Sequence, residues 1–223
     1  MRIIDLTHTI AEDMPVYPGM EQPGLKPAAS YEKDGYLETQ LKLFSHTGTH
    51  MDAPAHIFPG RTTLDEFPAT QFVGPALVID CTALPKDALI TMEQLAPVQK
   101  KADAAEFLLF HTGWDAHWGT RQYYEAYPHI TQEVARYITA NHKKGIGVDV
   151  MSVDPVFGTD IPIHKQLLRE HEIVILENLT NLGMAGCELF TLYALPLKFR
   201  CSDGAPVRAI AICNDDCNQH LRD

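Results

Sequence analysis

The sequence predicts an α/β or α+β domain built on a largely buried mixed sheet, and two observations carry that expectation. Seven short apolar runs rich in Val, Ile and Leu recur between turn signals, as strands do. Between them lie at least three segments with helical start and stop signals, though not in strict strand-helix alternation. A chain of 223 residues with 45% hydrophobic content can bury one substantial core, so a single domain over residues 1–223 is the simplest count.

Residues 2–6 read as the first strand. Residues 11–36 hold Pro15, Pro18, Gly19, Pro23, Gly24 and Pro27. Proline donates nothing to a ladder, so this stretch is neither one long helix nor a central strand. Met14, Val16, Tyr17, Leu25 and Tyr31 offer apolar anchors, which makes it a long ordered loop of the kind that lines sites. A strand over 37–45 follows, then strands at 75–81 and 106–111. Thr91 caps a short helix through Leu95 between those two. Thr131 or Pro128 opens a longer helix whose apolar face is Val134, Tyr137 and Ile138, ended by Lys143, Lys144 and Gly145. After a strand at 146–150, Pro162 starts a third helix, roughly 162–170, turning Leu167 and Leu168 inward. Strands at 172–177, 190–199 and 206–213 complete the sheet.

The net charge of −11 would repel a phosphate backbone, and no basic stripe interrupted by aromatics occurs, so nucleic acid and anionic membrane are excluded as partners. Met1-Arg2-Ile3-Ile4-Asp5-Leu6-Thr7-His8 meets acid and histidine before any apolar leader core, and the expected location is cytoplasmic. Five cysteines without secretory context read as reduced thiols, with Cys81, Cys187 and Cys201 as small core residues. Cys213, Cys217 and His220 have a spacing that zinc could use on a helix, but a fourth ligand is missing.

The chemistry concentrates in residues 46–56, His-Thr-Gly-Thr-His-Met-Asp-Ala-Pro-Ala-His, where three imidazoles and a carboxylate stand among small residues. Imidazole and carboxylate are the usual donors for zinc and manganese-like divalent ions, and bonds of roughly 2 Å require them to converge. In an extended strand His46 and His50 would lie roughly 13 Å apart, while Gly48, two threonines and Pro54 disfavour a helix. The expectation is a tight loop wound around an ion, following the strand at 37–45. The plainer alternative is a polar loop in which each histidine only hydrogen-bonds. Elsewhere Tyr17 could stack on an aromatic substrate or serve as a loop anchor. His111 and His117 could support a site or close a strand, and Asp149 and Asp154 are expected to brace loops.

These residues resemble the bacterial putative cyclase superfamily, whose best-known enzymes are kynurenine formamidases. The pattern H-x-G-T-H-x-D-x-P-x-H is met by His46, Gly48, Thr49, His50, Asp52, Pro54 and His56. Asp5-Leu6-Thr7, Pro15-Val16-Tyr17-Pro18-Gly19, Thr112-Gly113-Trp114, Gly147-Val148-Asp149 and Ser152-Val153-Asp154-Pro155 agree with it, over nearly the whole chain. The resemblance implies a single-domain, swivelling β/β/α cyclase-like fold with a mixed, barrel-like sheet flanked by helices, in homodimers or homotetramers. It also implies two divalent metals per chain, zinc or else manganese. His46, His50 and Asp52 would hold one ion; Asp52, His164 and Glu177 would hold the other. Spacing by itself would not choose His164 over His171, or Glu177 over Glu170 and Glu172. His56 would be the acid/base group. The implied reaction is hydrolysis of a small-molecule amide by activated water, of arylformamidase type, converting N-formyl-L-kynurenine to L-kynurenine and formate. The alternatives are a cyclic-amide (isatin-type) hydrolase, a metal-dependent binding protein without turnover, or a purely structural metal.

Overall fold

The chain enters its main sheet with β1 (Arg2–Asp5) and leaves it for a hairpin of β2 (Gly24–Ala29) and β3 (Glu38–Lys42), joined through a single helical turn, α1 (Tyr31–Asp34). It returns with a three-residue strand, β4 (His50–Asp52), before β5 (Val73–Asp80). Two-residue strands β6 (Leu89–Ile90) and β8 (His129–Ile130) pair with each other on either side of α2 (Met92–Leu95), α3 (Gln99–Ala104) and β7 (Phe107–His111). Next come α4 (Gln132–Ala140), β9 (Gly145–Val148), α5 (Pro162–Leu168), β10 (Val174–Glu177), α6 (Leu182–Ala185), β11 (Phe190–Pro196) and β12 (Gly204–Cys213). This computed structural model describes residues 1–158, 160–169 and 172–213.

β5, β7, β9 and β10 run parallel, linked by crossovers that carry helices, and this mid-chain order is the βαβ pattern that parallel pairing requires. β11, β12, β1 and β4 join antiparallel, so the sheet is mixed as expected. β12 carries three partners: β11 along its middle, β1 at its end and β4 at its start. Because β4 also pairs with β10, the ring β12-β11-β5-β7-β9-β10-β4 closes into a barrel.

Closure creates two cores. Inside lie Met51, Ala76, Val78, Phe107, Leu109, Leu176, Leu192 and Ala205. On the outer face Leu77, Ile79, Leu108, Phe110, Ile146 and Ile175 pack against Leu95, Val134, Ile138 and Leu167. The odd-even alternation along β5 and β7 assigns successive side chains to the two cores, which is why both strands read as unbroken apolar runs. Each Val, Leu, Ile or Phe among them contributes about 1.5–3 kcal/mol by burial.

The helices follow their caps. Thr91 and Gln94 form a capping box on α2, and the Thr131 hydroxyl accepts from the Val134 N–H at the start of α4. Lys143 does more than end α4. It is buried, and its ammonium donates to the carbonyls of Ala102, Asp103 and Ala105, at the end of α3 where carbonyls lack helical partners.

Three expectations are corrected. Residues 11–36 are not all loop: residues 24–29 form an edge strand paired with residues 38–42, a position that tolerates Pro27. That hairpin is mostly exposed, and the strand expected over 37–45 is shorter. Cys187 and Cys201 are exposed rather than core residues. Cys81 is buried as expected, while Cys213 packs in the inner core; Cys217, His220, Glu170 and His171 lie outside the described residues. No helix among the described residues is long and apolar enough to cross a membrane.

His8 stacks face to face on Trp118, with ring centroids 3.9 Å apart and planes 5° from parallel. Burial lowers its pKa to about 4 against the pull of Asp115. An unfolded histidine titrates near 6.5, so the unfolded chain takes up this proton first. His8 therefore contributes stability above pH 6.5 that is lost as pH falls toward 4. Thermal melts of wild type and His8→Phe across pH 7.5 to 4.5 should show wild type losing ground to the variant on acidification.

Candidate metal centre

The site is assembled around β4, which corrects the expected tight loop. His50 and Asp52 are two apart on a strand and emerge on one face, while Met51 between them points into the inner core. The sheet register then brings in distant chain. His50 lies opposite Glu177 of β10, and Asp52 lies opposite Gly204 of β12. His46 reaches the same point from the preceding loop, which turns at Gly48 with φ 65°, a conformation natural to glycine. As expected, the chain between His46 and His50 is not extended but bends at Gly48 and folds His46 back; only His50 to Asp52 is strand.

Asp52 is 1% exposed and divides its two oxygens. Oδ1 lies 2.6 Å from His46 Nδ1 and 3.3 Å from His50 Nε2. Oδ2 lies 3.6 Å from His164 Nε2 and has no hydrogen-bond partner among the described residues. Glu177 stands 3.4 Å from His164 Nε2 and 3.6 Å from His50 Nε2. His46, His50 and Asp52 form one convergent donor group and Asp52, His164 and Glu177 a second.

A buried carboxylate oxygen without a donor is costly unless a cation meets it. Donors bonded at about 2 Å around a tetrahedral ion stand roughly 3.3 Å from one another, close to most of these separations. Both groups fit a divalent metal. The electrostatics agree. Burial opposes charge on His46, yet Asp52 and Asp203 outweigh it and hold the imidazole up to about 10. Burial likewise opposes charge on His164, but Asp154, Asp52 and Glu177 raise it well above 6.5. Asp52 is held well below the usual carboxylate range despite its burial, through His46, His164 and His50. The cluster demands positive charge, which imidazole protons supply without metal and a divalent ion would replace.

Each histidine is fixed from behind. His50 Nδ1 is 2.8 Å from the Gly48 carbonyl, which leaves Nε2 free to coordinate. His164 Nδ1 is 2.7 Å from Asp154, whose carboxylate also accepts the Ile163 and His164 N–H groups. Asp154 thus braces α5 and aims its histidine. His46 lies against backbone: a Cβ on Gly204 would come within 2.4 Å of its Cε1. Gly204→Ala should leave the fold intact but push the imidazole outward, lowering metal affinity about 10-fold or more in chelator competition.

The cavity over this centre holds about 430 Å³. Tyr17, Met20, Phe44, Ile57 and Met151 supply apolar wall, and among the described residues Glu21 is its one acidic residue outside the metal centre and its supporting carboxylates. Tyr17 lines the wall and its hydroxyl also donates to the Val156 carbonyl at 2.9 Å, so it is anchor and lining at once. His56 reaches the cavity with its side chain 32% exposed, its ring 3.9 Å from that of His46 and 6.2 Å from that of His164. Burial pushes its pKa below 6.5, against the pull of Asp52. His111 and His117 do not line this cavity. His111 packs against Gly183, and His117 Nε2 lies 3.0 Å from Gln122. Asp149 braces the Thr112-Gly113 turn, accepting both backbone N–H groups and the Thr112 hydroxyl.

Asp203 was missed. Its Oδ2 lies 3.0 Å from His46 Nε2, and that contact, against partial burial, brings its pKa down to about 2. Its only sequence signal, an Asp-Gly pair before a strand, reads as a turn and nothing more.

The model of the putative cyclase family matches residues 4–155. A kynurenine formamidase of Bacillus cereus is 32% identical over 209 residues, which is 93% of this chain and 95% of that protein. Isatin hydrolase A from Labrenzia aggregata superposes with a TM-score of 0.81 at 27% identity, covering 94% of this chain and 93% of its own. A potential metal-dependent hydrolase with cyclase activity gives a TM-score of 0.70 at 26% identity, with 94% and 96% covered. A family match over more than half of the chain, a relative of such identity along nearly all of it and a shared barrel together make this protein a member of the putative cyclase family.

Proposed function

We propose that this protein hydrolyses an aryl amide in the manner of an arylformamidase, with N-formyl-L-kynurenine cleaved to L-kynurenine and formate. It is a metal-dependent amidohydrolase acting on C–N bonds other than peptide bonds. The observation that carries the proposal is Asp52: a buried carboxylate presents one oxygen to each of two donor groups at the floor of an apolar cavity. His46, His50 and Asp52 would hold one ion and Asp52, His164 and Glu177 the other, zinc by preference and manganese in its place; when bound, the pair would supply Lewis acidity for a water and for the amide carbonyl.

The chain's own groups do the rest. The apolar wall seats the aryl portion and sheds water from around the amide. His56, neutral at pH 7, takes the proton of the attacking water and delivers it to the departing amine nitrogen as C–O forms and C–N breaks. A cytoplasmic setting and a homodimer or homotetramer belong to the same proposal, the latter checked by light scattering.

One observation favours a second substrate reading. Among the described lining residues there is no Lys or Arg to meet the carboxylate of an amino-acid substrate. An uncharged cyclic amide such as isatin needs no such partner. Assaying metal-loaded protein on N-formyl-L-kynurenine and on isatin separates the two. Formamide cleavage is the expected result, and cleavage of isatin alone would transfer the proposal to the cyclic amide. Turnover of neither, with metal bound, would favour a binding protein.

A further inference from the structure

Asp203 occupies a place that neither the motif nor the two donor groups account for. It ends the loop between β11 and β12, and its backbone carbonyl accepts the Ala53 N–H at 2.9 Å, just beyond β4. One carboxylate oxygen, Oδ2, does three things. It lies 3.0 Å from His46 Nε2, accepts the Ser45 hydroxyl at 3.3 Å and stands 3.8 Å from His56 Nδ1. The rings of His46 and His56 lie 3.9 Å apart and tilted 40° to each other, with this one oxygen near a nitrogen of each.

The tautomers follow from this. His50 and His164 are held at Nδ1 and present Nε2, whereas His46 is held at Nε2 and presents Nδ1 to Asp52. A neutral imidazole has one N–H and one lone pair. A carboxylate at Nε2 keeps the hydrogen there and leaves the His46 Nδ1 lone pair for coordination. The same oxygen stands 3.8 Å from His56 Nδ1, beyond hydrogen-bond reach but near enough for its charge to favour hydrogen at that nitrogen, which leaves Nε2 to accept a proton.

We propose that Asp203 is a positioning residue shared by the metal centre and the proton-transferring histidine, fixing His46 through its Nε2 and His56 through its Nδ1. His46, His56 and Asp203 also stand close enough to share an ion, and metal count separates that ligand role from positioning. The inference rests on the metal-centre reading above, and its test separates the two failures.

The experiment compares wild type with Asp203→Asn, Asp203→Ala and Asp203→Glu, using zinc as the probe. Zinc affinity is measured by chelator competition, and kcat and KM are measured at saturating zinc. Because the Asp203 contact to Ala53 is made by backbone, the metal-free variants should stay folded and melt cooperatively, with melting temperatures lowered only by the lost pair with His46. In Asp203→Asn and Asp203→Ala, zinc affinity should fall about 10–100-fold. kcat should fall about tenfold or more with KM little changed, and Asp203→Glu should recover part of both. Wild-type zinc affinity and wild-type kcat in Asp203→Asn would overturn the inference, as would a rise in KM alone, which would make Asp203 a substrate contact. Zinc in excess of two ions per chain that drops by one in Asp203→Ala would make it a ligand and overturn it too. A wild type that binds no zinc would instead end the metal-centre reading.

Discussion

Asp52→Ala is expected to remove bound metal from both donor groups at once and to lower kcat/KM by roughly 10⁴-fold, a loss of about 5.5 kcal/mol in transition-state stabilisation. The reason is geometric. Asp52 is the one residue common to both groups, with Oδ1 toward His46 and His50 and Oδ2 toward His164. Removing His46 or Glu177 would weaken one group and leave three donors on the other. Stability should fall with activity even in metal-free protein. His46, His164 and His50 hold the Asp52 carboxylate well below the usual range despite its burial, so its removal leaves those buried imidazoles without their shared counter-charge. Metal analysis, kcat/KM and melts of the metal-free proteins check the three parts, and an Asp52→Ala protein that keeps two ions would contradict the bridging role.

His56→Ala is expected to keep its metal and lose turnover by about 10²–10⁴-fold, the range of general acid-base catalysis. His56 borders the cavity and belongs to neither of the two donor groups that share Asp52. Its neutral form at pH 7 follows from burial and from nearby cationic imidazoles, against the carboxylates. A purely structural or sequestering metal site would have no use for such a residue. Unchanged turnover in His56→Ala with a verified substrate would remove it from the proton path, and lost metal would make it a ligand.

The reach of the sequence differs between local and distant parts of this site. Residues 46–56 announced a metal centre because donors of the right chemistry stood close together in the chain. Their backbone was misjudged: a strand was rejected for the whole segment, although His50 and Asp52 need only the two-residue repeat of a strand to share a face. Glu177 and His164 were placed only through family resemblance. Glu177 meets His50 through antiparallel register between β10 and β4, which no spacing along the chain encodes. Asp203 had no signal of its own, since it meets His46 across 157 residues through barrel closure. The strands of the parallel set were legible because burial on both faces writes them as apolar runs. The β2–β3 hairpin was obscured because an exposed edge pair needs little apolar content and tolerates proline.

Elemental analysis of protein purified without added metal, and again after loading, tests the metal centre most directly when paired with amide hydrolysis before and after chelation. Close to two divalent ions per chain are expected in the loaded protein, with activity lost on chelation while the fold persists, and both restored on reloading. Loaded protein that holds no metal, or that hydrolyses the amide equally well after chelation, would contradict the account.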